Sequence, residues 1–139
     1  MKAVVIAIVA MCGLSACATN RLSDAERLDI YKAHAGEPVS KIRNLGAMSW
    51  DRVDDEHVLL SMRPKETWML RVSRPCLDWG SASPTLRISS MGAFISTKID
   101  RIVTDGSPMS CRIEEIRPVD LKAVRAAQEA AQAQASSGT

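Results

Sequence analysis

His57-Val-Leu-Leu-Ser-Met-Arg63, Pro64-Lys65-Glu66, Thr67-Trp-Met-Leu-Arg-Val-Ser73 is the stretch that decides the fold. Val58, Leu60 and Met62 alternate with His57, Leu59, Ser61 and Arg63. Trp68, Leu70 and Val72 alternate with Thr67, Met69, Arg71 and Ser73. Period two on both sides of a short polar turn containing Pro64 predicts a β-hairpin with one apolar face, and Trp68 on that buried face.

The pattern continues outward from the hairpin. Arg74 to Pro84 reads as a loop, broken by Pro75 and Gly80. Leu86 and Ile88 start another strand. Met91-Gly92 turns the chain into Ala93–Val103, where Ala93, Ile95, Thr97 and Ile99 share a face, with a bulge near Asp100-Arg101 restoring burial of Ile102. Asp105-Gly106-Ser107-Pro108 is a turn. Cys111 and Ile113 open a last strand, with a slip before Ile116 and an end at Pro118. Before the hairpin, Ser23-Asp24-Ala25-Glu26 is a capping box that starts a helix running to about Ala35, and Gly36 stops it. After the last strand, Asp120 caps a helix from Leu121 to about Gln134 with a thin apolar stripe: Leu121, Val124, Ala127 and Ala131. The expectation is an α+β fold: an N-terminal short helix, five to six antiparallel strands forming a curved sheet or small open barrel, and a C-terminal helix.

The first residues carry an address rather than a fold. Lys2 and the apolar run Ala3–Leu14 have the physics of a signal peptide, too short for a spanning helix of about 20 apolar residues. Leu14-Ser15-Ala16-Cys17 looks like a bacterial lipobox, which implies lipidation at Cys17. Two or three acyl chains hold a protein on a membrane where one does not. Ala18 stands where an Asp would signal inner-membrane retention, so the expected location is the outer membrane, facing the periplasm. The expected organisation is a leader over 1–16, a lipidated tether over 17–22, a helix plus β domain over 23–118, a C-terminal helix over 119–135 and a disordered tail over 136–139. The membrane, through Cys17, is the first expected partner.

Cysteine usage agrees with that compartment. Cys12 leaves with the leader and Cys17 takes the lipid, so Cys76 and Cys111 remain as an even pair. A disulfide between them would close a long loop worth roughly 4 kcal/mol. Neither has a second Cys or a His at ligand spacing, which argues against zinc.

The sequence offers little chemistry. The net charge of +2 gives no general pull on nucleic acid. No nucleophile elbow, phosphate loop or His-Glu-x-x-His occurs, so no catalytic residue, cofactor or metal site is expected. His34 lies near a helix C-terminus, where a cation suits the dipole. Asp54-Asp55-Glu56 before His57 reads as a solvated turn; its alternative is a small-ligand or metal-binding site made of the acidic run and His57. Met48, Met62, Met69, Met91 and Met109 fit sheet faces and turns better than a soft-metal set. Arg71, Arg87, Lys98 and Arg101 are expected on an outer sheet face, either solvated or meeting an anionic partner. The functional expectation is a non-catalytic binding or structural module with an envelope protein or glycan partner.

Several stretches together resemble a family of small Gram-negative lipoproteins classed as a domain of unknown function. They are Ser23-Asp-Ala-Glu-Arg-Leu28, Tyr31-Lys-Ala-His-Ala-Gly-Glu-Pro-Val39, Pro75-Cys76, Ile99-Asp-Arg-Ile102 and Cys111-Arg-Ile-Glu-Glu-Ile-Arg-Pro118. The resemblance implies a lipoprotein with a β domain and paired cysteines. It implies no activity.

Overall fold

The hairpin is the centre of the molecule. In the computed structural model, which describes residues 21–47, 49–74, 77, 85–105 and 108–138, the elements are α1 (Asp24–Ala33), β1 (Lys41–Arg43), β2 (Ser49–Arg52), β3 (His57–Arg63), β4 (Glu66–Val72), β5 (Leu86–Ser89), β6 (Phe94–Ser96), β7 (Arg101–Thr104), β8 (Ser110–Val119) and α2 (Leu121–Ser137). Six strands make one antiparallel sheet in the order β2-β3-β4-β8-β7-β5, curled into a half-barrel, and β1 pairs with β6 beside it. The fold is α+β, as the pattern implied.

The hollow of the half-barrel is filled by one phase of the strands. Val58, Leu60 and Met62 of β3, Leu70 and Val72 of β4, Cys111, Ile113 and Ile116 of β8, and Ile102 of β7 form one buried cluster. Ile42 of β1 and Ile95 of β6 join it. Trp68 is only partly buried against this cluster, and its indole Nε1 donates to Glu66 Oε1 at 3.1 Å.

The hairpin does not have a single apolar face. Leu59 and Met69, of opposite phase, are also buried. They pack with Val53, Val119, Tyr31 of α1 and Val124 of α2 in a second cluster. Both helices therefore sit on the outer face of the sheet. The capping box forms: Ser23 Oγ accepts from Glu26 N and Glu26 Oε2 accepts from Ser23 N. Asp120 caps α2, its side chain accepting from Ala123 N at 3.1 Å.

Three other expectations are corrected. Ala93–Val103 is two strands, not one bulged strand. Thr97–Ile99 is a turn, Lys98 stands at φ 67°, and Asp100 Oδ2 closes the turn on Ser96 N. Ile99, placed on a buried face by alternation, is 76% exposed. Pro118 does not end β8, which runs to Val119. The missing N–H of Pro118 costs nothing there, while its carbonyl accepts from Gly36 N at 2.8 Å. Last, α2 continues through Ser137, so Ser136 and Ser137 are helical rather than tail; their hydroxyls donate back to Gln132 O and Gln134 O.

The slip before Ile116 is present. Register shifts between Arg71, opposite Glu115, and Val72, opposite Ile113, leaving Glu114 as the extra residue. Glu115, Arg117 and Val119 consequently share the outer face with Arg71, Met69 and Thr67. That single residue of register places the charges described next.

Candidate functional site

The helices cover only part of the outer face. Under them lie Leu59, Met69 and Val119. Further along the same phase of the strands the residues become charged. His57 on β3 is opposite Arg71 on β4, and Arg71 is opposite Glu115 on β8. This three-strand row forms the floor of a cleft of about 580 Å³. Leu28 and Lys32 of α1 border it on one side; Asp54, Glu56, Arg74 and Arg117 complete the rim.

His57 is not in a solvated turn: the residue is only 6% exposed. Its Nδ1 lies 2.9 and 3.0 Å from the two oxygens of Asp54. A carboxylate only accepts, so Nδ1 carries the proton. Asp54 Oδ1 also accepts from the backbone N–H groups of Glu56 at 2.8 Å and His57 at 2.7 Å. The turn thus folds around the Asp54 carboxylate, which orients the imidazole. Asp54 and His57 were legible together in the acidic run; their close contact follows from this Asx-type turn.

The remaining carboxylates of the cleft are matched. Glu56 is paired with Arg74. Glu115 accepts from Arg117 Nε at 2.8 Å. That hydrogen bond holds the Glu115 carboxyl below its ordinary range, against partial burial, with the charges of Arg117 and Arg71 adding to it. Arg117 also reaches Gly36 O at 3.3 Å. Arg71 differs. Partly buried between His57 and Glu115, it makes no side-chain hydrogen bond or ion pair among the described residues. The alternation had put Arg71 on an outer sheet face, but its cross-strand neighbours depend on register and could not be read.

The other expected cations do not gather with it. Arg87 pairs with Asp105, Lys98 with Glu114, and Arg101 reaches Ser110 at 3.4 Å. The described methionines are dispersed as well: Met62 and Met69 lie in different clusters and Met91 and Met109 are exposed, while Met48 lies outside the described residues. Among the described residues no group of three or more His, Cys, Asp or Glu could hold a metal ion. His34 follows α1 and lines a separate, larger cleft of about 870 Å³ between the β3–β4 turn and the start of α2, with Thr67, Asp120 and Glu129. Cys111 is fully buried on β8. Cys17 and Cys76 lie outside the described residues, as do the leader and most of the tether.

The geometry at His57 can hold a ligand and can orient a base. The described side chains lining the cleft include no Ser, Thr or Cys to serve as a nucleophile.

Comparison with known families matches residues 1–135. The chain belongs to DUF6491, a family of unknown function. No curated protein and no solved structure matches it.

Proposed function

We propose that this protein is a lipid-anchored module of the cell envelope, non-catalytic, that binds a small ligand in the cleft at His57. The observation that carries the binding reading is the row His57–Arg71–Glu115, held open on the sheet face beside the part that the helices bury. A polar row made only for solubility has no need of a buried His fixed by a carboxylate, since burying polar groups is costly unless each is satisfied.

The anchor rests on Leu14-Ser-Ala-Cys17 and the apolar run before it. No described helix is long and apolar enough to cross a membrane, and lipid at Cys17 supplies attachment to the outer membrane, with the domain in the periplasm. Cys17→Ser should abolish palmitate labelling and release the protein from membranes; unchanged labelling and sedimentation would reject the anchor. For the cleft, the low-molecular-weight fraction of the native envelope should shift the backbone amide resonances of His57, Arg71 and Glu115 in the detergent-solubilised mature protein. If that fraction moves none of them, the cleft is not the ligand site.

A Cys76–Cys111 disulfide is part of the same reading. Three features support it. Ser73 and Arg112 exchange hydrogen bonds, Ser73 N to Arg112 O at 2.9 Å and Arg112 N to Ser73 Oγ at 3.1 Å. This pins the chain just before Cys76 beside the neighbour of Cys111. Leu77, next to Cys76, packs against the cluster that contains Cys111. The proposed compartment is oxidising.

A further inference from the structure

Building on the binding reading of the cleft, we infer that its ligand carries a carboxylate and that Arg71 is the residue that receives it.

The argument is one of charge and commitment. Four cations line the cleft, Lys32, Arg71, Arg74 and Arg117, against three carboxylates, Asp54, Glu56 and Glu115, before any charge on His57. Each carboxylate already has a direct partner: Asp54 takes His57 and two backbone amides, Glu56 takes Arg74, Glu115 takes Arg117. Arg71 has none among the described residues. It is also partly withdrawn from water, on a strand with neighbours on both sides. A guanidinium there keeps its charge and its five donors in a rigid planar fork. The nearest acid, Glu115, is held by Arg117, so it cannot also neutralise Arg71 in full. The site is therefore short of one negative charge.

A single carboxylate supplies that charge in the geometry a guanidinium fork prefers, two parallel N–H···O bonds. A phosphate dianion fits worse, because one negative charge already balances the four cations against the three carboxylates and a second would be in excess. Lys32 at the rim adds a second donor for the same group or for a polar neighbour on the ligand. Leu28 and Met69 supply apolar wall beside the charged row. Carboxylates of this size come from two sources in an envelope: the C-terminus of a short peptide, or a sugar acid.

Matched pairs of solutes test the inference in the detergent-solubilised mature protein, by amide resonance titration. N-acetyl-alanine and its uncharged amide form one pair; glucuronate and glucose form the other. At least one carboxylate should give saturable shifts at Arg71 and its cross-strand neighbours, with its neutral match binding at least about tenfold more weakly, which corresponds to about 1.4 kcal/mol. The pair that discriminates identifies the source. Arg71→Gln should weaken the carboxylate about tenfold or more and leave the neutral solute unchanged, and a cooperative unfolding transition in that variant would exclude loss of the fold. Arg71→Lys should recover part of the affinity but not all, since an ammonium keeps the charge and loses the fork.

Four results would overturn the inference: a neutral solute that binds as well as its acid, an Arg71→Gln variant that binds as tightly as the parent, inorganic phosphate that binds more tightly than either carboxylate, or silence from both carboxylates. If the envelope fraction shifts the cleft amides while neither carboxylate does, the carboxylate assignment fails and the binding reading stands. If neither shifts them, both fail.

Discussion

Leu59 and Ile99 make a reciprocal pair for testing the two-sided sheet. Simple alternation places Leu59 outward and Ile99 inward; in the structure Leu59 is 4% exposed and Ile99 is 76% exposed. Leu59→Ala removes buried methyl and methylene groups at about 0.8 kcal/mol each, and the gap it leaves among Tyr31, Val53, Met69, Val119 and Val124 adds a cavity term. The expected loss is about 3 kcal/mol. Ile99→Ala removes atoms that already face water, on a turn, and should cost less than about 0.5 kcal/mol. Urea unfolding followed by tryptophan fluorescence reads both. With a slope of about 1–1.5 kcal/mol per molar for a domain of this size, Leu59→Ala should lower the midpoint by about 2 M or more and Ile99→Ala by less than about 0.5 M. Equal, small shifts for the two variants would mean that the helices do not cover this face. A large shift for Ile99→Ala with a small one for Leu59→Ala would restore the one-faced hairpin and move the cleft off the molecule, since its wall is made by α1.

Gly36→Ala should cost about 1–2 kcal/mol by thermal or urea unfolding, because the new Cβ would stand 2.8 Å from Cγ of the Pro118 ring; an unchanged midpoint would refute the close approach of this segment to β8. Thr104→Val should be neutral or stabilising by up to about 1 kcal/mol, since Thr104 Oγ1 is buried without a partner among the described residues; a clear loss would reveal a partner for the hydroxyl. Folded Glu114 is held at about 2 by hydrogen bonds from Lys98 and Arg112, and Glu115 is also lowered, chiefly by Arg117. The unfolded chain therefore binds more protons over the interval from about 4.5 down to about 2, so stability should be level above it and fall with pH within it. The urea midpoint should follow this course, with a flatter slope in Glu114→Gln/Glu115→Gln; a midpoint that rises on acidification would refute the sign. Thiol labelling of unreduced, denatured protein should find neither Cys76 nor Cys111, and the two single Ser variants should lose the same stability, up to roughly 4 kcal/mol; labelling of either cysteine in the native, unreduced protein would reject the disulfide.

What was legible in the sequence is what local chemistry controls. Ser23 with Glu26, and Asp120, are caps whose hydrogen bonds span three residues, and both helices start where those residues stand. The turn at Pro64-Lys65 separates two alternating runs, and β3 and β4 pair around it. The errors arise where distant parts decide. Alternation cannot tell that two helices will cover the second face of β3; the contiguous Val58-Leu59-Leu60 was the available signal, since strands buried on both sides lose their alternation. The Ala93–Val103 run keeps its apolar spacing through a turn because Asp100, four residues from Ser96, folds the chain on itself. The cleft was half legible. Asp54 and His57 are neighbours in sequence, but Arg71 and Glu115 join them only through register, and that register depends on one bulged residue, Glu114.

The bulge also explains why a charged row and an apolar one share a sheet face. Were Glu114 paired opposite Arg71 in regular register instead of bulged, every later β8 residue would shift by one, bringing Ile116 and Pro118 to the helix side and sending Glu115 and Arg117 into the packed hollow. The strand instead holds Ile113 and Ile116 in the core on either side of the insertion and keeps Glu115 and Arg117 outward. Glu114 itself is secured by Lys98 and Arg112. The Lys98 backbone N–H meanwhile donates to Ile113 O at 2.7 Å, fastening the Thr97–Ile99 turn to the same point. The features that interrupt the period-two pattern here, the unexpected turn at Lys98 and the expected slip at Glu114, are thus one structural joint. By setting the register of β8, that joint aligns Glu115 with Arg71 and His57, so the placement of the cleft and the departure from simple alternation have a common physical cause.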